Sequence, residues 1–289
     1  MRPVNKLEIS SERLCNSTKH HINSLTAKEW IKAQVAIQEF YYEGRDVQNK
    51  NVHPATFPVS LPKHLIKLFT HEGESVLDPF VGIGSTLLAA RDLNRNAVGF
   101  SMKQEYINYA KKRLSQDSFG TTKQLAIHYN ARNIPQYLEP GTVSLSITSP
   151  PYANMLNHPQ KNKSIRGNLR ENEHYLKVQQ YSNDPLDLGG MNHEQYSEAL
   201  TEIYSGIYDF MKPKSHVVIN VNGVLEDNKR YATHVYVIHA IEKAGFEFRN
   251  TIMWDKRNLM NKVGIFGWPN NYIALRTTME FILDFWKRR

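Results

Sequence analysis

A short glycine turn between an apolar strand and a helix is the first segment whose residues could do chemistry. The sequence VLDPFVGIGSTLLAA (76–90) runs from a strand ending in Asp78, through Gly82 and Gly84, into small helix-forming residues. Glycines let a backbone approach a ligand closely, and the following helix N-terminus offers unpaired N–H groups. The turn therefore predicts a ligand site beyond the carboxyl end of the strand. It is neither a full dinucleotide fingerprint nor a P-loop, and a turn needed only for packing is the alternative.

A second segment with chemical content is Ser149-Pro150-Pro151-Tyr152, which follows directly on the apolar run VSLSIT (143–148). Two consecutive prolines fix φ and force a rigid extended exit that cannot belong to a strand ladder. Backbone carbonyls are thereby left free to point at a ligand, and the tyrosine offers an aromatic face. A structural turn with a packed tyrosine is the alternative, which the glycine turn upstream disfavours.

The glycine turn resembles the S-adenosylmethionine-binding motif of amino-methyltransferases that act on DNA. Those enzymes carry D-P-F-x-G-x-G-T before a small-residue helix, and this chain has DPFVGIGS at 78–85. The segment HPATFPVSLPKHLI (53–66) also resembles the family's entry segment. The resemblance implies that the turn from Gly82 to Gly84 lies against the methionine part of the cofactor. It also implies cofactor contacts for the other motif residues, namely Asp78, Pro79, Phe80, Ser85 and Thr86.

Two positions depart from the family pattern. Family members usually hold the ribose hydroxyls with an acidic residue just after the second strand, where this chain has Ser101. They tend to carry Gly-Asp after the third strand, where this chain has Tyr129 and Asn130. Ser101 and Asn130 still offer hydrogen bonds, but the anionic acceptor is absent, and Glu105 is a candidate substitute. We expect both to contact the cofactor; weak or partner-dependent binding is the alternative.

The SPPY segment resembles motif IV of the same family, which implies that it holds an exocyclic amine. The lone pair of that nitrogen is conjugated to the ring, so two hydrogen bonds from its N–H groups help to pyramidalise it. The acceptors here would be the Ser149 hydroxyl and the Pro150 carbonyl, with Pro151 shaping the turn and Tyr152 stacking on a flipped base. Positioning and electrostatics, rather than a strong base, then supply most of the rate enhancement.

A serine at the first position of the motif is typical of the cytosine-N4 subgroup of this family. We therefore expect methylation of cytosine N4 in a short DNA sequence, in a restriction-modification or phage system. The alternatives are N6-adenine methylation with the same machinery and a weakly active, DNA-binding methyltransferase-like subunit. An RNA guanine-amine methyltransferase is a further option, although the chain leaves no room for a separate RNA-binding domain. The missing third glycine disfavours an NAD dehydrogenase.

The amino-acid composition indicates which kinds of partner the protein binds. The 289 residues carry 36 Lys and Arg against 28 Asp and Glu, a net charge of +8, which favours a polyanion such as double-stranded DNA. The single cysteine excludes an internal disulfide framework, and no His spacing predicts a metal site. Without a long apolar run or signal-like N-terminus, we expect a cytoplasmic protein with no membrane contact. A cognate restriction endonuclease is a possible partner, and the oligomeric state stays open.

The elements that must position these residues alternate between short apolar runs and amphipathic helical patterns from 75 to 286. That alternation predicts a mostly parallel sheet with right-handed crossovers. The resemblance implies the three-layer, Rossmann-like α/β sheet of class I methyltransferases, with seven strands and an antiparallel last one.

Domain organisation follows from breaks in that pattern. We expect an N-terminal helical segment at 1–52, since 29–44 has an apolar stripe at helical spacing. The catalytic domain would span 53–289. Its two interruptions, at 153–191 and 255–276, are polar or mix basic and aromatic residues, and we expect them to read the DNA sequence.

Overall fold

The computed structural model describes residues 6–14, 25–47, 56–115, 121–153, 184–226, 229–259 and 277–288. The helices within these ranges are α1 (Ala27–Ala33), α2 (Gly44–Val47), α3 (Ser60–Phe69), α4 (Ser85–Asp92), α5 (Gln104–Leu114), α6 (His193–Tyr208) and α7 (Thr233–Lys243). The strands are β1 (Ile37–Gln38), β2 (Ser75–Asp78), β3 (Asn96–Ser101), β4 (Gln124–His128), β5 (Val143–Thr148), β6 (Met211–Val221), β7 (Val224–Glu226), β8 (Lys229–Tyr231), β9 (Glu247–Asp255) and β10 (Met279–Trp286).

Eight of these strands form one sheet in the order β1-β9-β10-β6-β5-β2-β3-β4. Neighbouring strands are parallel except at β10, which runs antiparallel to both β6 and β9. The predicted α/β class, with a mostly parallel sheet and an antiparallel last strand, is confirmed. The expected number of strands was seven, and the described residues hold an eighth, β1, which extends the sheet beside β9.

Helices cover both faces of the sheet and make it the middle of three layers. One buried cluster joins the sheet to α6, α7 and a 3-10 helix at Ala131–Gln136, and the other joins it to α3, α4 and α5. Successive strand residues alternate between the clusters: Leu77 lies in the first and Val76 in the second. Every residue of β2 and β5 is therefore buried, including the serines and Thr148.

The N-terminal region differs from its sequence-based interpretation. The helical stripe expected over 29–44 ends early, because α1 stops at Ala33 and Ile37–Gln38 pair with β9 as a strand. Phe40 then enters the core beneath α3. The proposed boundary at 52/53 lies outside the described residues, so the two-part division remains a prediction.

Candidate active site

The carboxyl ends of β2, β3, β4 and β5 meet at one edge of the sheet, and the residues singled out from the sequence follow these ends. The chain passes from β2 outward to β3 and β4, then returns to place β5 on the other side of β2. The order therefore reverses between β2 and β5, which is where open α/β sheets bind ligands.

A buried carboxylate joins the two motifs at this switch point. Asp78, the last residue of β2, accepts hydrogen bonds from the hydroxyls of Thr148 and Thr86, both at 2.6 Å. It also accepts from the backbone N–H of Phe80 at 3.1 Å. Burial raises the pKa of the Asp78 carboxyl to about 6, and the hydrogen bonds from Thr148, Thr86 and Phe80 hold it from rising further.

The glycine turn is fixed against β3. The N–H of Val81 donates to the carbonyl of Phe100 at 2.9 Å, and a Cβ on Gly99 would overlap the Val81 side chain. Gly82 and Gly84 have φ values of 50° and 88°, in the region that favours glycine. The turn therefore lies close over the end of β3 because position 99 has no side chain to displace Val81.

Gly84 also sets the contact between two helices. It is the residue before α4, with no side-chain cap on the first turn of that helix. A Cβ at Gly84 would lie 3.0 Å from the Cβ of Ala110 in α5. The absence of a side chain at Gly84 therefore allows α4 to pack closely against α5.

The turn contains a polar side chain without a hydrogen-bond partner in the described part of the chain. The hydroxyl of Ser85 is buried and has no hydrogen-bond partner among the described residues. Together with the uncapped N–H groups of α4 and the nearby Asp78 carboxylate, it provides both donors and an anionic acceptor. A small molecule carrying a carboxylate and cationic groups suits this set, so the residues fit S-adenosylmethionine.

Ser101 and Asn130 lie at the same edge: Ser101 is the last residue of β3, one position earlier than expected, and Asn130 follows β4 as predicted. The Ser101 hydroxyl accepts from the N–H of Lys103 at 3.3 Å, and Asn130 accepts from the N–H of Arg132 at 3.0 Å. Both side chains therefore shape the local turns. Glu105 is exposed on the first turn of α5.

The SPPY segment leaves β5 immediately after Thr148, as predicted. Pro150 is buried, Ser149 is half-buried, and the Ser149 hydroxyl forms no hydrogen bond with any residue that the structure describes. Tyr152 is half-buried and packs against the cluster under α6, next to the buried Ala153. The segment thus presents a polar hydroxyl and a partly exposed ring at the switch point.

A polar cluster that the sequence analysis missed lies at the same edge on β6, β9 and β10. Asn220 donates to Glu280 at 2.7 Å, and Glu280 also binds the ammonium of Lys256. The Nζ atom of Lys256 lies 4.7 Å from the centre of the Trp254 ring. Asn220 stands in an apolar run, HVVINV, which reads as core, so its partner on a distant strand left no sequence signal.

Most of the two segments expected to read DNA falls outside the described residues, at 154–183 and 260–276. The described flanks show Asp187 capping a short 3-10 turn at Leu188–Gly190 and Asp255 binding Arg257. Within the described ranges, His, Cys, Asp and Glu form no cluster suited to a metal. No helix there has the length and apolar character needed to cross a membrane.

Comparison with known proteins defines the class. A family model for DNA methylases of the N6 and N4 type matches residues 5–112 and 143–289. The match covers most of the chain, and the protein belongs to this DNA methylase family.

Individual relatives match over shorter stretches. The type II methyltransferase M.BglI of Bacillus subtilis is 39% identical over 90 residues, covering 31% of this chain and 25% of that protein. M.HindIII of Haemophilus influenzae is 46% identical over 67 residues, covering 23% of this chain and 22% of the relative. The chain thus spans about a quarter of the length of the curated relatives it matches.

Among solved structures, a Thermus thermophilus DNA modification methylase complexed with S-adenosylmethionine shares 21% identity with this chain. The alignment covers 54% of this chain and 52% of that one, with a TM-score of 0.35. At that score the likeness carries no information about the site.

Proposed function

We propose that the protein transfers a methyl group from S-adenosylmethionine to the N4 amine of cytosine within a short sequence of double-stranded DNA. The observation that carries the proposal is the bond between Asp78 and Thr148, because it joins the glycine turn and the SPPY segment at one switch point. Membership of the DNA methylase family and the net charge of +8 support DNA as the substrate.

S-adenosylmethionine supplies a sulfonium-activated methyl group when it is bound. The residues that would hold it are Ser85 and the first N–H groups of α4, with Asp78 as the anionic neighbour of its cationic groups. Ser101 and Asn130 would contact its nucleoside part through groups that also cap the local turns.

The residues of the SPPY segment would hold the flipped base. The Ser149 oxygen and the Pro150 carbonyl accept hydrogen bonds from the two amine hydrogens, which favours a pyramidal nitrogen with an available lone pair. Tyr152 stacks on the base, and Pro151 keeps the chain extended. These residues act by positioning the base and by electrostatic stabilisation, which lower the barrier to methyl transfer without a strong base.

Cytosine is proposed over adenine because Ser149 is short and neutral and because the family's serine members tend to act on cytosine. N6-adenine methylation by the same residues is the second candidate. The relatives named above are type II methyltransferases, which supports a restriction-modification setting, with base flipping and a cognate endonuclease as parts of the proposal.

The test that separates an enzyme from a binding module uses purified protein, labelled S-adenosylmethionine and mixed-sequence genomic DNA. We expect calorimetric binding of the cofactor and transfer of label to duplex DNA. If the protein binds both ligands but transfers no label, the methyltransferase-like DNA-binding subunit is the better account.

A further inference from the structure

Asn220 holds a buried hydrogen-bond acceptor whose partner is missing from the described part of the chain. The residue is 3% exposed on β6, and its Oδ1 has no hydrogen-bond donor there. An unsatisfied buried carbonyl costs free energy, so this oxygen is available to accept a hydrogen bond from a donor brought to it.

The orientation of this amide is set by its neighbours. Glu280 is 8% exposed, and as a carboxylate it only accepts hydrogen bonds, so it must face the NH2 of Asn220, which donates to it at 2.7 Å. The ammonium of Lys256 binds the other oxygen of Glu280. Donors thus engage both oxygens of Glu280, and the amide cannot flip without losing its bond to this carboxylate, so Asn220 presents its oxygen away from Glu280.

Strand register brings Asn220 next to the start of the SPPY segment. Val218 and Ile147 belong to the same core cluster on adjacent parallel strands. Asn220 lies two residues after Val218 within β6, and Ser149, two residues after Ile147, is the first residue beyond β5. The preceding residues of the two strands, Thr148 and Ile219, are paired. If the extended exit continues the alternation of β5 for one residue, Ser149 follows on the same face as Asn220 at the carboxyl edge.

We infer that Asn220 is a positioning residue that accepts the hydrogen of the Ser149 hydroxyl when the target amine is bound. A hydroxyl is both donor and acceptor, and donating to Asn220 leaves the lone pairs of Ser149 for the amine N–H. A flipped amide would instead donate its NH2 to Ser149 and compete with the substrate. The inference rests on the proposed function, since it assigns a role within the same site.

A double-mutant cycle tests the coupling. Asn220→Leu, Ser149→Ala and the double variant are compared in steady-state methyl transfer to DNA that the wild type methylates. We expect Asn220→Leu to lower kcat about tenfold or more, with KM for DNA nearly unchanged, and to have almost no further effect once Ser149 is alanine. A purely structural role for Asn220 would lower the rate by the same factor in both backgrounds, and that result would overturn the inference.

Asn250→Leu is the matched control, because Asn250 makes the same kind of amide-to-carboxylate bond, to Asp284 at 2.8 Å, in the amino-terminal part of β9. It should leave kcat unchanged.

If Asn220→Leu does not fold, Glu280→Gln replaces it in the cycle. Glu280→Gln preserves the shape of the side chain but lets the Asn220 amide turn, and the same non-additivity with Ser149→Ala is expected. If the wild type methylates no DNA, the proposed function and the inference both fail; additive effects in an active enzyme overturn only the inference.

Discussion

The hydroxyl of Thr148 donates to the carboxylate of Asp78 at 2.6 Å, so the last residues of β5 and β2 are bonded side chain to side chain. The bond ties the start of the glycine turn to the start of the SPPY segment, although 70 positions separate the two residues in the chain. Any movement of one motif relative to the other must strain or break a hydrogen bond to a fully buried acid.

This buried acid makes stability depend on pH in a defined direction. The pKa of Asp78 is raised from 3.8 to about 6, chiefly by burial, so its contribution to stability is complete below 3.8 and is lost as the pH rises through 6. Asp78→Asn removes the charge at similar size. From about pH 4 to pH 7 we expect the unfolding free energy of this variant, relative to wild type, to rise by up to about 3 kcal/mol.

Urea denaturation of both proteins across that range measures the difference, and titrations elsewhere in the protein cancel in the comparison. A difference that stays constant with pH would show that Asp78 ionises in the folded state as it does in the unfolded chain.

Gly99 controls how closely the glycine turn lies over β3. A Cβ at this position would overlap Val81, so Gly99→Ala should lower the unfolding free energy by about 1–3 kcal/mol and weaken S-adenosylmethionine binding. Val81→Gly in the same chain should recover part of the cofactor affinity. Gly190→Ala is the control, since a Cβ at Gly190 meets nothing within 4 Å. Equal effects of the two alanine variants in thermal melts would refute this role.

Gly84 is constrained twice, by its φ of 88° and by the approach of Ala110. Gly84→Ala should therefore destabilise the protein by about 1–3 kcal/mol. Adding Ala110→Gly relieves the contact but not the backbone strain, so only part of the loss should return. Full recovery in the double variant, measured by denaturant titration, would mean that helix packing alone requires this glycine.

Several strands of the sheet were predictable from the sequence because short local patterns of apolar and turn residues define them. The limits of β2 and β5 agree with the sequence-based assignments, since SVLD and VSLSIT are apolar runs bounded by turn residues. β1 was missed because its two residues continue a helical spacing, and the β7–β8 hairpin because it is short and charged. The contacts between Asp78 and Thr148 and between Asn220 and Glu280 depend on strand register, which no local pattern reveals.

Ser149 and Tyr152 should matter for methyl transfer more than for DNA binding, since both are proposed to act on the flipped base. We expect Ser149→Ala and Tyr152→Ala to lower the transfer rate by about 10- to 100-fold. Their affinity for duplex DNA, measured by fluorescence anisotropy, should change by less than about threefold, because phosphate contacts dominate that affinity. A parallel loss of DNA binding would assign these residues to duplex contact instead.

The segment at 153–191 is proposed to read the DNA sequence. Deleting residues 160–172 should remove the preference between cognate and scrambled duplexes, while calorimetry should give an unchanged affinity for S-adenosylmethionine. Loss of cofactor binding in the deletion variant would make the segment part of the cofactor site.

Nucleoside mass spectrometry identifies directly the atom that receives the methyl group. Genomic DNA is incubated with the protein and labelled S-adenosylmethionine, then digested to nucleosides. We expect label in N4-methyl-2′-deoxycytidine. Label in N6-methyl-2′-deoxyadenosine would contradict the base assignment, and label on a ring carbon or only on RNA would contradict transfer to an exocyclic amine of DNA.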